Sequence, residues 1–322
     1  MKKHLSKLFR LLITVAVFVY IIKKFNIDFD DVFGQVVSPW LLLMGVIIRL
    51  VVVQSIAMNR WQLFLRQSGV EESIWNLVKI GFISSFMGVV LPSAQGGDVM
   101  RMYFIEKKHG FSKDSNITSS STVLIERMIG FVLLSLIGLL SSILIPFYDG
   151  KWKVVILLGV VNVCLWLVIF LLTNRLCYEK LSRILLNTNH LKKVCSFVEK
   201  THFSLVTFPY KRVLLPSVAL IGLYQIVTIF VLYLVFLSFG IRIPFYQHMA
   251  FYPIIVILAA IPISISGLGI REGSFVYLYS LVNIPAPVCV GVSLAFYMVE
   301  VLSGVFVGGI LYLLKTLGLV KI

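Results

Sequence analysis

The chain has 322 residues, of which 59% are hydrophobic and 13% charged, and its formal net charge is +15 at pH 7. Soluble globular domains are about 45–50% apolar and about 25% charged, so this composition excludes an ordinary soluble protein and indicates one whose solvent is largely lipid. The basic residues lie mostly between apolar segments, where they set membrane orientation and contact anionic headgroups. We therefore expect the membrane as a partner and no nucleic acid.

The apolar segments, taken in chain order, predict an all-α integral membrane protein with a single membrane domain over residues 1–322. A spanning helix needs about 20 apolar residues, and several segments approach or exceed that length. The first, Leu11–Ile22, follows a basic N-terminus but lacks a small-residue cleavage site, which favours an uncleaved transmembrane helix over a signal peptide. The later segments are Trp40–Ala57, Phe131–Ile145, Val154–Leu172, Val213–Phe239 and Val288–Leu314.

The loops between these segments differ in charge, and the difference predicts their side of the membrane. The 174–212 connection holds eight Lys or Arg residues against two acids, and residues 1–10 hold four basic residues and no acid. Because basic loops stay in the cytoplasm, we expect a multi-pass protein of the inner (plasma) membrane with both termini cytoplasmic. The predicted cytoplasmic segments are 1–10, 59–73 and 174–212, and the predicted external ones are 23–39, 147–153 and 240–248.

A break after the apolar segment 74–91 predicts a re-entrant pair of half-helices. Both flanks of this segment carry the basic charge typical of cytoplasmic loops, so a full crossing would invert the orientation of everything that follows. Pro92 removes a backbone donor, and Gly96 and Gly97 favour non-helical angles, so we expect the chain to turn back there. An eight-crossing topology, in which the broken segments are counted as spans, is the alternative.

A second break, at residues 261–269, repeats the features of the first. Each has an apolar-Pro step, a small polar stretch, two glycines and an acid–base pair, and each precedes an apolar helix with a Glu-x-x-x-Gly motif. This order predicts two inverted repeats, 1–150 and 151–322, forming a bundle of about six full spans and two re-entrant broken helix pairs. The candidate hinge residues are Pro92 in the first break and Pro262, Gly267 and Gly269 in the second.

Ionisable residues inside apolar segments are the best candidates for a binding site, since each costs roughly 2.5–3.5 kcal/mol at mid-bilayer and needs a partner or a cavity. Arg101 and Arg271 each follow a glycine-rich break, where amide donors and the start of a half-helix favour an anion. A guanidinium also binds two phosphate oxygens at once. We therefore expect a phosphate-bearing headgroup between the two breaks. The candidate substrate-binding residues are Arg49, Gly96, Gly97, Asp98, Arg101, Glu126, Arg127, Arg271, Glu272 and Glu300.

Several members of this set have a second interpretation. Glu126 and Glu300 would neutralise an empty site or carry coupling protons; alternatively, Glu300 makes a structural hydrogen bond to a neighbouring helix. Arg127 and Glu272 could be ordinary flanking charges at the headgroup level. The small-residue stretch 304–309 could pack helices within one chain or between chains, so a homo-oligomer stays open.

Three motifs carry a family resemblance. They are Gly-Gly-Asp with Arg and Tyr in 96–103, Glu-Arg at 126–127, and Gly-x-Gly-x-Arg-Glu at 267–272. Together they resemble the flippase-like transmembrane family typified by the N-terminal membrane region of lysylphosphatidylglycerol synthases, over essentially the whole chain. The resemblance implies that the protein moves or presents a lipid across the membrane. It implies roles for the matching residues Gly97, Asp98, Arg101, Glu126, Arg127, Arg271 and Glu272.

The leading prediction is a lipid transporter or flippase-like protein for an anionic lipid or a lipid-linked glycan precursor, with no cofactor. The chain ends at Ile322, where a synthase continues into its aminoacyl-transfer domain, and no Walker loop, Gly-x-Ser-x-Gly or His-Glu-x-x-His motif is found, which favours a non-enzymatic role. The first alternative is a membrane-embedded transferase for a polyprenyl-phosphate or phospholipid, with Asp28 and Asp30 as the candidates to hold a metal or to act as a general base. The second is an accessory subunit of a cell-envelope enzyme.

Overall fold

The computed structural model describes residues 34, 36–90, 96–109, 119–144, 150–175, 177–178, 201–203, 205–206, 213–261, 264 and 267–319. Within these ranges the regular elements are helices, and no β-strand is present. The long helices are α1 (Pro39–Gln67), α2 (Ile74–Val90), α3 (Gly96–His109), α4 (Ser119–Leu144), α5 (Lys151–Thr173), α6 (Leu214–Ser238), α7 (Phe245–Ala260), α8 (Ile270–Ser280) and α9 (Ala286–Thr316).

Five helices in the described ranges are long and apolar enough to cross a membrane, namely α1, α4, α5, α6 and α9. Each overlaps a predicted span, although α4 begins at Ser119, twelve residues before the predicted start at Phe131. The remaining predicted span, Leu11–Ile22, lies outside the described residues. Large apolar side chains such as Val163, Leu167 and Phe170 on α5 are more than half exposed, which lipid accommodates and water does not. The chain is therefore an all-α multi-pass membrane protein, as its composition predicts.

Helix α1 extends well beyond the predicted end at Ala57. The predicted loop 59–73 is wrong over its first part, because the helix continues to Gln67. Trp61 and Leu65 are fully buried in this extension, in a cluster shared with α2 and α3. Their burial stabilises the added turns despite the polar residues between them.

The helices around the two breaks pack in a reciprocal way. α2 contacts α3, and α7 contacts α8. α2 packs most extensively against α9, whereas α7 packs most extensively against α4, and α1 packs along α6. The helix before each break thus lies against the last helix of the other predicted half. An inverted repeat would account for this exchange, and the repeat stays a prediction.

The α2–α9 contact depends on glycines in α9. A Cβ atom built on Gly308 would lie 2.1 Å from the backbone oxygen of Phe82, and one on Gly304 would lie 2.8 Å from the Cβ atom of Ser85. These distances are shorter than any normal contact, so the two backbones approach too closely for a side chain. In this structure the small-residue stretch of α9 packs helices within the chain.

Glycines also shape both breaks. A Cβ atom on Gly97 would lie 2.8 Å from the carbonyl oxygen of Ser84, so the start of α3 rests directly on the backbone of α2. Gly267 and Gly269 have φ angles of 73° and 84°, in the region that favours glycine. Pro92 and Pro262 lie outside the described residues, and their role as hinges stays a prediction.

Glu72, in the turn between α1 and α2, joins the ends of three helices. Its Oε1 atom lies 2.8 Å from both Lys108 Nζ and His109 Nε2 at the end of α3. Oε2 accepts a hydrogen bond from Asn76, and the backbone oxygen accepts one from Gln62. Burial alone would raise the pKa of this carboxyl, but the hydrogen bonds from Lys108, His109 and Asn76 outweigh it and hold the pKa below its ordinary value.

The substitution Glu72→Gln should lower the thermal unfolding midpoint in detergent by a few degrees near neutral pH. Because the pKa is lowered in the folded protein, the contribution is fully present above the ordinary carboxyl pKa and is lost as pH falls through the lowered value. The midpoints of the variant and the wild type should therefore converge in acid. Glu71→Gln, an exposed neighbour, is the control; an equal loss there, or a gap that ignores pH, contradicts the prediction.

Candidate functional site

A cavity of about 330 Å³ lies among the membrane helices. Its described wall comes from α1, α2, α3, α4, α6 and α9, with one residue from α7. Four arginines and three carboxylates on this wall leave one positive charge in excess. These ionisable residues are Arg49, Arg60, Arg101, Arg127, Asp98, Glu126 and Glu300.

Five of these side chains form one continuous network. Glu126 pairs through Oε1 with Arg60, and Arg101 Nη1 lies 3.8 Å from the same oxygen. Arg101 also pairs with Asp98, whose second oxygen pairs with Arg127. The order along the network is therefore Arg60, Glu126, Arg101, Asp98 and Arg127. The network holds three guanidinium groups but two carboxylates, so the excess positive charge of the described cavity wall lies in this network.

Aromatic rings hold two of these arginines in place. The guanidinium carbon of Arg60 lies 4.8 Å from the ring centre of Tyr224 on α6, and that of Arg101 lies 5.2 Å from the ring centre of Trp61 on α1. Both distances are within the range of a cation–π interaction. Two cations are thus fixed beside each other on the cavity wall, which pre-organises them for an anion.

A separate ion pair joins α1 to α9 on the same wall. Arg49 Nη2 lies 2.6 Å from Glu300 Oε1, and the side chains are 17% and 29% exposed. Arg49 begins a π-helical turn, Arg49–Val53, within α1. Such turns occur often at functional sites. Glu300 thus has a charged partner inside its long apolar helix.

Several polar atoms on the cavity wall have no hydrogen-bond partner among the described residues. The nitrogen donors are Arg49 Nη1, Gln54 Nε2 and Arg60 Nε, and Ser84 Oγ and Glu126 Oε2 are also unsatisfied. A buried polar atom without a partner costs about 1–3 kcal/mol. A polar ligand in the cavity would offset that cost.

Arg271 and Glu272 form a second cluster, and they are not among the residues that line the cavity. Glu272 is fully buried and accepts hydrogen bonds from the Gly269 amide and from Arg271. Arg271 also donates to Ser293 on α9, and its guanidinium carbon lies 4.3 Å from the ring centre of Tyr297. The carboxylate caps the first turn of α8, and Arg271 ties that turn to α9.

The structure therefore brings together most, but not all, of the candidate residues. Gly96 is buried at the start of α3 without reaching the cavity wall, and Asp28 and Asp30 lie outside the described residues. Within the described ranges, no group of three or more His, Cys, Asp or Glu side chains could hold a metal ion. The predicted residues on the wall are Arg49, Gly97, Asp98, Arg101, Glu126, Arg127 and Glu300.

Arg60, Tyr224 and Gln225 line the cavity but were missed by the sequence analysis. Arg60 falls in the predicted loop 59–73, although it follows Arg49 by eleven positions in the sequence. That spacing is about three helical turns and places both arginines on one face of α1. This spacing was the available signal. Tyr224 and Gln225 carried none, because a polar residue within an apolar helix does not reveal which helix it faces.

These features define a multi-pass helical membrane protein with a charged cavity among its spans. Residues 7–308 match the family described as the lysylphosphatidylglycerol synthase TM region, and the chain belongs to this family. It is also similar to a UPF0104 membrane protein of Methanothermobacter thermautotrophicus, with 24% identity over an alignment 302 residues long; the match covers 85% of this chain and 83% of the relative. No solved structure matches the chain. The resemblance inferred from the three motifs is confirmed.

Proposed function

We propose that this protein binds the phosphate-bearing headgroup of an anionic lipid, or of a lipid-linked glycan precursor, in the cavity and moves it across the membrane. The observation that carries the proposal is the excess of guanidinium groups on the wall of a cavity among apolar helices. Three of the four arginines on the described wall belong to one network, whose described carboxylates, Asp98 and Glu126, balance only two of the three positive charges. An anion is the ligand that such a wall attracts.

The donors on the wall suit a phosphate group in particular. Arg49 Nη1 and Arg60 Nε have no partner among the described residues, and a phosphate presents several acceptor oxygens at once. Arginine is also more weakly hydrated than lysine, so it binds a phosphate with less desolvation. The exposed apolar surfaces of the outer helices would leave the lipid tails in the bilayer while the headgroup occupies the cavity.

Alternating access is the mechanism that we propose for the movement. The two predicted halves would rock about the α2–α9 and α4–α7 contacts, which cross between them. The cavity wall draws residues from both halves, for example Arg101 from the first and Glu300 from the second. A change in their relative position would therefore open the site to one side or the other. We place the protein in the cell membrane with both termini cytoplasmic, from the charge of its loops.

A proteoliposome assay tests this proposal. Vesicles that contain a trace of phosphatidylglycerol labelled on an acyl chain with a fluorophore are treated with an impermeant quencher, which removes signal from the outer leaflet only. We expect quenching beyond the outer-leaflet fraction when the protein is present, and less of it with equally labelled phosphatidylcholine, whose headgroup carries no net charge. No quenching above protein-free vesicles for any anionic lipid would contradict the proposal and favour an accessory role.

A further inference from the structure

The three carboxylates on the described cavity wall hold their arginines in different ways. Asp98 forms an ion pair through each oxygen, one with Arg101 and the other with Arg127, although the second oxygen has no hydrogen bond among the described residues. Glu300 has Arg49 as its partner and is 29% exposed. Glu126 is only 2% exposed, and both of its arginine contacts converge on Oε1, while Oε2 has no partner among the described residues. Among the three carboxylates on the described wall, Glu126 is thus the one whose single oxygen contacts two guanidinium groups.

An anion entering the cavity therefore competes with Glu126 for Arg60 and Arg101 at the same time. The two guanidinium groups lie against Tyr224 and Trp61, so they are held in position while the carboxylate gives way. A buried carboxylate that loses both cations is destabilised in its charged form, because neither a cation nor water then stabilises the charge. Its unpartnered Oε2 atom is free to receive a proton.

Resting on the proposed function, we infer that Glu126 couples lipid binding to proton uptake. One phosphodiester anion replaces Glu126 on Arg60 and Arg101, and Glu126 takes one proton from the aqueous phase. One negative and one positive charge enter together, so the net charge of the cavity is unchanged. The protein would then move the lipid and the proton in the same direction, and a proton gradient would drive the lipid.

The groups around Glu126 are consistent with this exchange. Arg60 and Tyr224 face the network from α1 and α6, Arg101 and Asp98 face it from α3, and Arg127 belongs to α4 itself. α7 contributes Val256 to the described cavity wall, and α5 contributes none of its residues. Asp98 keeps Arg127 as a partner when the phosphate binds Arg101, and Glu300 keeps Arg49. Among the carboxylates on the described wall, Glu126 is therefore the one that loses every arginine contact.

Calorimetry with dihexanoyl phosphatidylglycerol, a soluble phosphodiester with one negative charge and no titratable proton near neutral pH, tests the inference. Titration of the purified full-length protein in buffers of different ionisation enthalpy reports lipid binding and the number of protons exchanged together. We expect about one proton taken up per lipid bound by the wild type, and an affinity that falls as pH rises. Binding heat that does not depend on the buffer would overturn the inference and leave the proposed function intact, whereas no binding of the lipid would overturn both.

Two variants locate the proton. Glu126→Gln should bind the lipid several-fold more tightly, with no proton uptake and little dependence on pH, because no charged carboxylate has to be displaced. Glu300→Gln is the matched control, since it removes a carboxylate from the same cavity wall; it should still take up about one proton per lipid. Proton uptake that persists in Glu126→Gln, or that disappears in Glu300→Gln, assigns the proton to another group and overturns the role of Glu126.

Discussion

Replacing Arg101 with glutamine should weaken binding of an anionic lipid on the order of 10- to 100-fold, while the protein stays folded. The expected loss follows from the charge-assisted hydrogen bonds that a guanidinium makes to phosphate, which contribute about 1.5–3 kcal/mol. The fold should survive because each carboxylate that Arg101 contacts keeps a second arginine. Glu126 retains Arg60, and Asp98 retains Arg127. The substitution also removes the excess positive charge of the cavity.

Native mass spectrometry of the gently purified protein measures this effect. The wild type should carry one class of anionic lipid, and Arg101→Gln should lose it. Arg66→Gln removes the same charge from an exposed site on α1 and should keep the lipid. Retention of the lipid by Arg101→Gln, at the level seen in both the wild type and the Arg66 variant, would show that the network is not the headgroup site.

For Arg271, the sequence motif predicts the position of the residue in the backbone but not the contacts of its side chain. From the sequence, Arg271 and Arg101 are expected to bind the same headgroup, because both follow a glycine-rich break. The break and the helix after it are present, yet the side chain of Arg271 is tied to Glu272, Ser293 and the ring of Tyr297. A motif fixes the local backbone, whereas the direction of a long side chain depends on which other helix packs beside it. A direct headgroup contact by Arg271 stays a prediction.

The helices themselves were largely predictable, because length and apolar composition decide which segments cross a membrane. The end of α1 was not, since charge and polarity suggested a loop after Ala57. A helical spacing of buried residues, Trp61, Phe64 and Leu65, was nevertheless present in the sequence. The cavity could be predicted only as a set of ionisable residues. Which arginine meets which carboxylate depends on contacts between α1, α3, α4 and α9 that no local pattern encodes.

A substitution in the glycine stretch of α9 should have the second large effect, a loss of stability. Gly308→Ala should lower the free energy of unfolding by about 1–3 kcal/mol, the usual cost of overpacking. The added Cβ atom would lie 2.1 Å from the carbonyl oxygen of Phe82, which is backbone and cannot rotate away, so α2 and α9 have to separate. Gly304 and Ser85, one turn along the same contact, also line the cavity. The substitution should therefore weaken lipid binding as well as stability.

Gly309 provides the control for this prediction, because it is the next residue and undergoes the same chemical change. A Cβ atom on Gly309 would lie 3.5 Å from the ring of Phe86, which is an ordinary contact. Alanine is also favoured over glycine in a helix by about 1 kcal/mol, so Gly309→Ala should leave the thermal unfolding midpoint unchanged or raise it. Equal midpoints for the two variants would mean that α2 and α9 do not touch at Gly308. The contact between the two predicted halves would then have to be carried by α4 and α7 instead.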